Sequence, residues 1–144
     1  MSKPETRFKD RLRGRLTARG AWTKKIHGER AQEVGVDLYV VLKGVPAALE
    51  LKVGNRLDSV RLVAMATDLQ LRDLLNFCRA GGKGILVGED LQDGTLLAVD
   101  MEKFSNTMAT VSAVRQASKE SEPEALSFGS CDTFIDHIFR GPVC

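Results

Sequence analysis

The chain has 144 residues, of which 43% are hydrophobic and 28% charged, and its formal net charge is +2. This length predicts one domain with its own core, and the ordinary composition excludes collagen, a fibrous coil and wholesale disorder. No apolar run approaches the roughly 18 residues that cross a bilayer, and the N-terminus is charged. We therefore expect no membrane partner, no secretory signal and a cytoplasmic location. The three cysteines have no close spacing, which favours neither a disulfide framework nor a zinc site.

The small net charge hides an asymmetry along the chain. Residues 1–30 contain ten Lys or Arg and three acids, a balance of +7, whereas the remaining residues have a balance of −5. A basic segment suits a polyanion such as DNA, because neutralised phosphates release their counterions. A solvated helix face would have the same composition, so charge alone leaves both interpretations open.

Hydrophobic periodicity predicts the elements in chain order. Phe8, Leu12 and Leu16 recur at i, i+4 and i+8, which predicts an amphipathic helix over 4–19. Further predicted elements are a strand at 21–27, a polar loop at 28–33, strands at 36–42 and 45–53, an ambiguous segment at 55–66, a helix at 68–79, and a hairpin of strands at 84–87 and 96–99.

The signal weakens beyond residue 100. The segment 105–115 is either a helix or irregular, 119–124 is a polar connector, and the apolar residues at 134–139 predict a terminal helix. The order α-β-β-β-α-β-β predicts a single α/β domain over 1–144, with a central mixed sheet flanked by helices. Its core would cover about 3–100, and 101–144 would be a C-terminal extension.

The two strands at 36–42 and 45–53 are predicted to form a hairpin around Lys43-Gly44. A two-residue turn pairs Leu38 with Leu49, and this register places Val36 and Leu51 on the same wholly apolar face.

The same register sets Asp37 directly opposite Glu50 on the other face, with Lys52 two residues further along. At about 5 Å and an effective dielectric near 20, two such acids repel by roughly 3 kcal/mol. A shared Mg²⁺ would remove that repulsion, because this ion takes one or two carboxylates plus waters. The alternative is that both acids point into water and that Lys52 relieves the repulsion. Since the strands are otherwise apolar, we expect these charges to open into a cleft.

These residues resemble the PD-(D/E)xK nuclease superfamily, in which Asp and Glu-x-Lys stand about a dozen residues apart on adjacent strands. Here the pattern is Asp37 followed by Glu50-Leu51-Lys52. The closest similarity is to the virus-type replication-repair nuclease (VRR-NUC) branch and the Holliday junction resolvases. In the former, the next helix carries Gln and ends at a glycine pair, as Gln70 and Gly81-Gly82 do here. The family often has Pro before its Asp, where this chain has Val36.

The resemblance covers residues 3–88 and implies a restriction-endonuclease-like core with a metal centre. Asp37, Glu50 and the backbone carbonyl of Leu51 would bind Mg²⁺ or Mn²⁺, and Lys52 would orient or deprotonate the attacking water.

The resemblance implies two further catalytic residues. Glu5 matches the acid that many family members carry on their first helix, and Gln70 matches a glutamine near the active site. Each has a structural alternative: Glu5 is favoured by the helix dipole, and Thr67-x-x-Gln70 is a capping box. Glu29 and Glu33 are weaker alternatives to Glu5.

The leading functional prediction is a metal-dependent endonuclease that hydrolyses DNA phosphodiester bonds. Basic side chains would hold the DNA backbone without reading its sequence. The predicted DNA contacts are Arg7, Arg11, Arg15, Lys24, Lys25 and Arg56. Because no base-reading helix is evident, we expect selectivity for junction, flap or nicked DNA in replication, repair or recombination. A junction resolvase would have to be a homodimer, for which the C-terminal third would supply the interface or merely complete the core.

Two other functions are open from the sequence: a non-catalytic DNA- or protein-binding module that keeps the nuclease fold, and an unrelated small α/β protein. The compact single-domain form would suit a virus-encoded protein that acts in the host cell. Trp22 and Tyr39 are expected to be core or rim residues rather than platforms for base stacking. His27 and His137 lack ligand spacing and are expected to be structural or exposed.

Overall fold

A computed structural model describes residues 3–26, 36–105 and 110–140. These residues form a six-stranded mixed sheet with helices on both faces, which confirms the predicted α/β class. The strands are β1 (Trp22–Lys25), β2 (Leu38–Leu42), β3 (Val45–Gly54), β4 (Lys83–Asp90), β5 (Leu96–Asp100) and β6 (Leu126–Phe128). The helices are α1 (Pro4–Ala18), α2 (Ser59–Met65), α3 (Asp68–Arg79), α4 (Glu102–Ser105), α5 (Val111–Glu120) and α6 (Cys131–Ile138).

The strands lie in the sheet in the order in which they occur in the chain, from β1 at one edge to β6 at the other. All neighbouring pairs are antiparallel except β3 and β4, which are parallel. Parallel neighbours need a crossover connection, and α2 and α3 supply it. In the hairpin, β2 therefore lies next to the edge strand β1, and β3 lies next to its parallel neighbour β4.

The hairpin has the predicted two-residue turn and the predicted register. Lys43 and Gly44 have φ values of 54° and 77°, as a type I′ turn requires. Leu38 pairs with Leu49 and Leu42 with Val45. The pairing ends at Leu38, and the carboxyl group of Asp37, the residue before it, lies close enough to Glu50 to interact with it.

Two hydrophobic cores lie on opposite faces of the sheet. On one face, the fully buried Phe8, Leu12 and Leu16 of α1 pack with β2, β3 and α6, which confirms the predicted stripe of this helix. On the other face, side chains from α2, α3 and α5 cover β4 and β5. The sheet is thus enclosed on both faces at its centre.

Val36 departs from the expected arrangement. It was predicted to extend the strand and share the apolar face of Leu51, but β2 begins at Leu38 and Val36 packs in the opposite core with Ala48. The chain bends at Asp37, whose side chain accepts a hydrogen bond from the backbone N–H of Leu51. This bond takes the residue out of regular strand alternation.

Several boundaries also differ from the sequence predictions. The ambiguous segment at 55–66 contains α2, and β4 and β5 are longer than expected. Helix α5 runs to Glu120, so the polar connector predicted at 119–124 begins too early, and strand β6 was not predicted. Strand β1 is shorter than 21–27; His27 and the predicted loop with Glu29 and Glu33 lie outside the described residues. In the described ranges, no helix is long and apolar enough to span a membrane.

Close packing of α3 on β4 generates a stability prediction. A Cβ at Gly84 would lie 2.4 Å from the carbonyl oxygen of Leu74 and 2.9 Å from Sγ of Cys78. We expect Gly84→Ala to lower the free energy of unfolding by about 1–3 kcal/mol in urea denaturation, because a backbone atom must shift. Gly14→Ala in α1 is the control, since its Cβ would meet nothing within 4 Å, and it should be neutral or stabilising. Equal stability of Gly84→Ala and wild type would contradict this packing.

Candidate active site

The hairpin brings two acidic side chains together in a buried position. Asp37 immediately precedes β2, Glu50 lies in the middle of β3, and only 8% and 1% of the two residues are exposed. Oδ2 of Asp37 accepts a hydrogen bond of 3.1 Å from the backbone N–H of Leu51. This bond holds the Asp37 carboxylate against the strand that carries Glu50.

Glu50 is the least satisfied polar side chain of the site. Neither of its carboxylate oxygens has a hydrogen-bond partner among the described residues, although both are buried. The ammonium of Lys52 lies 3.7 Å from Oε2, which is an ion-pair distance. The neighbouring Asp37 carboxyl becomes a partner only if one of the two acids carries a proton. Buried polar groups in folded proteins are nearly always paired, so an orphaned carboxylate indicates a missing proton or cation.

Electrostatics at Glu50 favour its neutral form. Burial is the largest cause, followed by the negative charge of Asp37 and a hydrogen bond to it; together they raise the pKa of Glu50 from 4.5 to about 10. Lys52 acts in the opposite direction, and the charge of Glu5 raises the pKa further. Glu5 on α1 is therefore close enough for its charge to act on Glu50, and a catalytic role for Glu5 stays a prediction.

A second lysine in the site was not predicted. Lys9 of α1 lies 2.9 Å from Oδ1 of Asp37, and its side chain is 15% exposed. The sequence held one signal for it: Lys9 follows Glu5 by four residues, so the two side chains share a face of the helix. The site thus contains two acids on the hairpin, one lysine from β3, and one lysine and one acid from α1.

Gln70 takes the structural role that the sequence left open. Its side-chain oxygen accepts a hydrogen bond of 2.9 Å from the backbone N–H of Thr67, and the Thr67 hydroxyl accepts one from the backbone N–H of Gln70. The two residues form a capping box at the start of α3. A catalytic role for Gln70 stays a prediction.

Arg11, Arg15 and Lys25, which are predicted to contact DNA, also form ion pairs with acids. Arg11 bonds to Glu89, Arg15 lies 3.2 Å from Asp132, and Lys25 lies 2.8 Å from Asp10. Ion pairs of this kind at a surface contribute only about 0–1 kcal/mol, so a phosphate would compete for the same cations.

The other three predicted DNA contacts lie at the surface. Arg7 and Lys24 are exposed on α1 and β1. Arg56 is exposed near the end of β3, with its backbone N–H bonded to Asp90.

The fit of a metal ion depends on the two hairpin acids. Within the described ranges, no group of three or more His, Cys, Asp or Glu side chains is arranged to hold a metal ion. Mg²⁺ does not need such a group, since it is commonly bound by one or two carboxylates with water completing an octahedron. The unpartnered oxygens of Glu50 beside Asp37 fit this minimal donor set.

No protein-family model and no curated protein sequence matches this chain.

The raised pKa of Glu50 generates a pH prediction for the metal-free protein. Below about pH 4.5, Glu50 is protonated in both the folded and the unfolded state, and its burial costs no ionisation energy. Above that pH the unfolded chain releases the proton while the folded state retains it, so the free energy of unfolding falls as the pH rises toward 10. Glu50→Gln removes this titration. With EDTA present, we expect the variant to be about 1–3 kcal/mol more stable than wild type at pH 8, and the difference to shrink toward pH 4.5.

Urea denaturation at five or six pH values would measure this difference. The control is Glu122→Gln, which changes an exposed acid and should follow wild type at every pH. A constant difference between Glu50→Gln and wild type across the range would contradict the assignment of a buried, protonated Glu50.

Proposed function

We propose that this protein is a metal-dependent endonuclease that hydrolyses DNA phosphodiester bonds. The observation that carries the proposal is the buried carboxylate of Glu50, which lies beside Asp37 and has no hydrogen-bond donor for either oxygen among the described residues. The resemblance of Asp37 and Glu50-Leu51-Lys52 to the PD-(D/E)xK pattern supports phosphodiester hydrolysis as the reaction.

Stability does not account for this pair of acids. Two like charges in a buried position cost free energy, and an apolar pair of similar size would stabilise the hairpin instead. A surface that only binds DNA would also gain nothing from buried negative charge, since the ligand is itself an anion. A bound divalent cation explains both the placement and the burial.

Each polar residue has a specific role in the proposed reaction. Asp37, Glu50 and the carbonyl of Leu51 would hold the ion, which supplies a water of lowered pKa and polarises a phosphoryl oxygen. Lys52 presents a compact ammonium beside Glu50 and would orient the attacking water and offset charge on the phosphoryl group. Glu5 lies on the helix side of Glu50 and would accept a hydrogen bond from a water in the site.

Lys9 would have a separate role. Its ammonium neutralises Asp37 in the absence of a cation. Once Asp37 binds the ion, the same ammonium would be free to contact the phosphate that is cut.

The surface around the site supports DNA as the substrate. The exposed cations Arg7 and Lys24 would contact phosphates, and Arg11 and Arg15 would exchange their acidic partners for them. Contacts of this kind do not read sequence, so we propose selectivity for the shape of branched, flapped or nicked DNA. Symmetrical cutting of a four-way junction would require two copies acting together.

A non-catalytic binding module is the second candidate, and one observation favours it. Each buried acid already faces an ammonium: Lys9 lies 2.9 Å from Asp37 and Lys52 lies 3.7 Å from Glu50. Such internal ion pairs would balance the charge of a site that holds no cation. The two candidates differ in whether the protein cuts the DNA that it binds.

An endonuclease assay separates the two candidates. The purified protein is incubated with linear, nicked, flap and four-way-junction DNA in Mg²⁺, Mn²⁺ or EDTA. We expect cleavage only with a divalent cation, and a loss of about 10²- to 10⁴-fold in rate for Lys52→Ala, because the variant lacks the group that positions the water. Glu50→Gln should lose cleavage to the level of the EDTA reaction.

The matched control is Lys119→Ala, which removes an exposed lysine at the end of α5 and should cut like wild type. Binding of branched DNA without cleavage in either metal would replace the enzyme with the binding module. Cleavage that survives in Glu50→Gln would place the active site elsewhere in the chain.

A further inference from the structure

One face of the sheet edge carries an exposed aromatic side chain in register with the candidate active site. Strand pairing aligns Trp22 of β1 with Val41 of β2, and Val41 with Pro46 of β3. Directly paired residues point to the same face of a sheet. This row of three side chains, called here the apolar row, is exposed: Trp22 by 58%, Val41 by 39%, and Pro46 also at the surface.

A second row lies between the apolar row and the acids. Lys24 pairs with Tyr39, and Tyr39 pairs with Ala48. Lys24 is exposed, and Tyr39 is half-buried with its ring 5.8 Å from that of Phe77 on α3. Two residues beyond Ala48 on the same face of β3 lies Glu50, beside which the Asp37 carboxylate is held by the backbone N–H of Leu51.

The three rows form a short track along the strands. Val41 and Asp37 are four residues apart, which corresponds to roughly 13 Å of extended strand. The sequence of chemical groups along this track is an aromatic plane, an ammonium, and then the paired acids of the site. A single strand of nucleic acid likewise presents a base, which can stack on an aromatic ring, next to a phosphate, which can bind an ammonium.

Charge on this face also suits an anion. Lys24 is exposed, and the acid whose charge acts on Tyr39 is Asp73, which is paired with Arg72 at 3.6 Å. Asp37 and Glu50 are buried. Among the described residues of this face, Lys24 is therefore an exposed positive charge between the apolar row and the site.

We propose that this face binds an unpaired nucleotide of the substrate strand, with its base stacked on Trp22 and its phosphate at Lys24. The inference rests on the proposed function for its choice of a nucleic acid, and it narrows the substrate to DNA with a single-stranded segment beside the cut. Stacking on an aromatic side chain contributes to binding for every base, so it fits a protein without base-reading contacts. A duplex base, stacked within its own helix, has no free face for Trp22.

A second copy of the chain is a poorer occupant of the apolar row. A stable dimer buries about 800 Å² on each partner, and an aromatic side chain contributes at most about 250 Å² even when fully exposed. Trp22, Val41 and Pro46 fall well short of that area. A two-fold axis through this row would also bring Lys24 close to Lys24 of the other copy, and the two positive charges would repel each other.

The fluorescence of Trp22 tests the proposal directly, because it is the only tryptophan in the chain. The full chain in EDTA is titrated with an oligothymidylate of about ten nucleotides, a length within the usual site size of single-strand binders. We expect quenching that saturates with the oligonucleotide and weakens with salt, and much smaller quenching by a blunt duplex of the same length.

Variants measure the contribution of stacking to affinity. We expect Trp22→Ala to weaken binding of a labelled oligothymidylate by about 5- to 150-fold, as measured by anisotropy, and Trp22→Phe to retain most of the affinity. The control is Leu126→Ala, which truncates another exposed apolar side chain, on the opposite edge strand, and should bind like wild type.

The outcomes separate this inference from the proposed function. Quenching by single strands without any metal-dependent cleavage would support the inference and overturn the nuclease. Metal-dependent cleavage with equal affinity in Trp22→Ala and wild type would support the nuclease and overturn the inference. A Trp22 signal that changes with protein concentration alone, with no response to oligonucleotide, would overturn the inference in favour of self-association.

Discussion

The repulsion between the carboxylates of Asp37 and Glu50 is the interaction on which the site depends. A type I′ turn at Lys43-Gly44 sets the register that brings them together, and burial removes the water that would screen them. The fold itself does not need this arrangement, since the two cores lie on either side of it and are complete without charged groups. A buried pair of adjacent acids, one of which retains a proton when no cation is bound, is therefore the clearest sign of function among the described residues.

The surrounding elements limit that repulsion without removing it. Lys52 comes from the same strand as Glu50, and Lys9 reaches Asp37 from α1, which packs over the hairpin through its apolar stripe. Glu5, one turn before Lys9, adds negative charge. The helix that was first conspicuous for its positive charge thus contributes one group of each sign to the site. The chain balance of +2 results in part from acids that the fold keeps out of solvent.

The class of fold, the hairpin register and the opposed acids were predictable because each follows from local rules: side-chain alternation in strands, turn geometry and helical periodicity. Lys9 was not, because its partner is 28 positions away and only the packing angle of α1 decides which side chain reaches it. Val36 was misplaced because the chain bends at Asp37, whose carboxylate accepts a hydrogen bond from the backbone N–H of Leu51. The exposure of Trp22 follows from the position of β1 at the edge of the sheet. The order of strands in a sheet is a tertiary property, so local sequence patterns did not predict this exposure.

Isothermal titration calorimetry with Mn²⁺ at pH 8 would show whether Asp37 and Glu50 hold a cation. We expect one ion per chain for wild type and none for Glu50→Gln. Because the raised pKa of Glu50 keeps a proton in the metal-free site, we also expect release of about one proton per ion bound, seen as a dependence of the enthalpy on the ionisation heat of the buffer. Equal binding by wild type and Glu50→Gln, or no binding by either, would mean that these acids do not form a metal site.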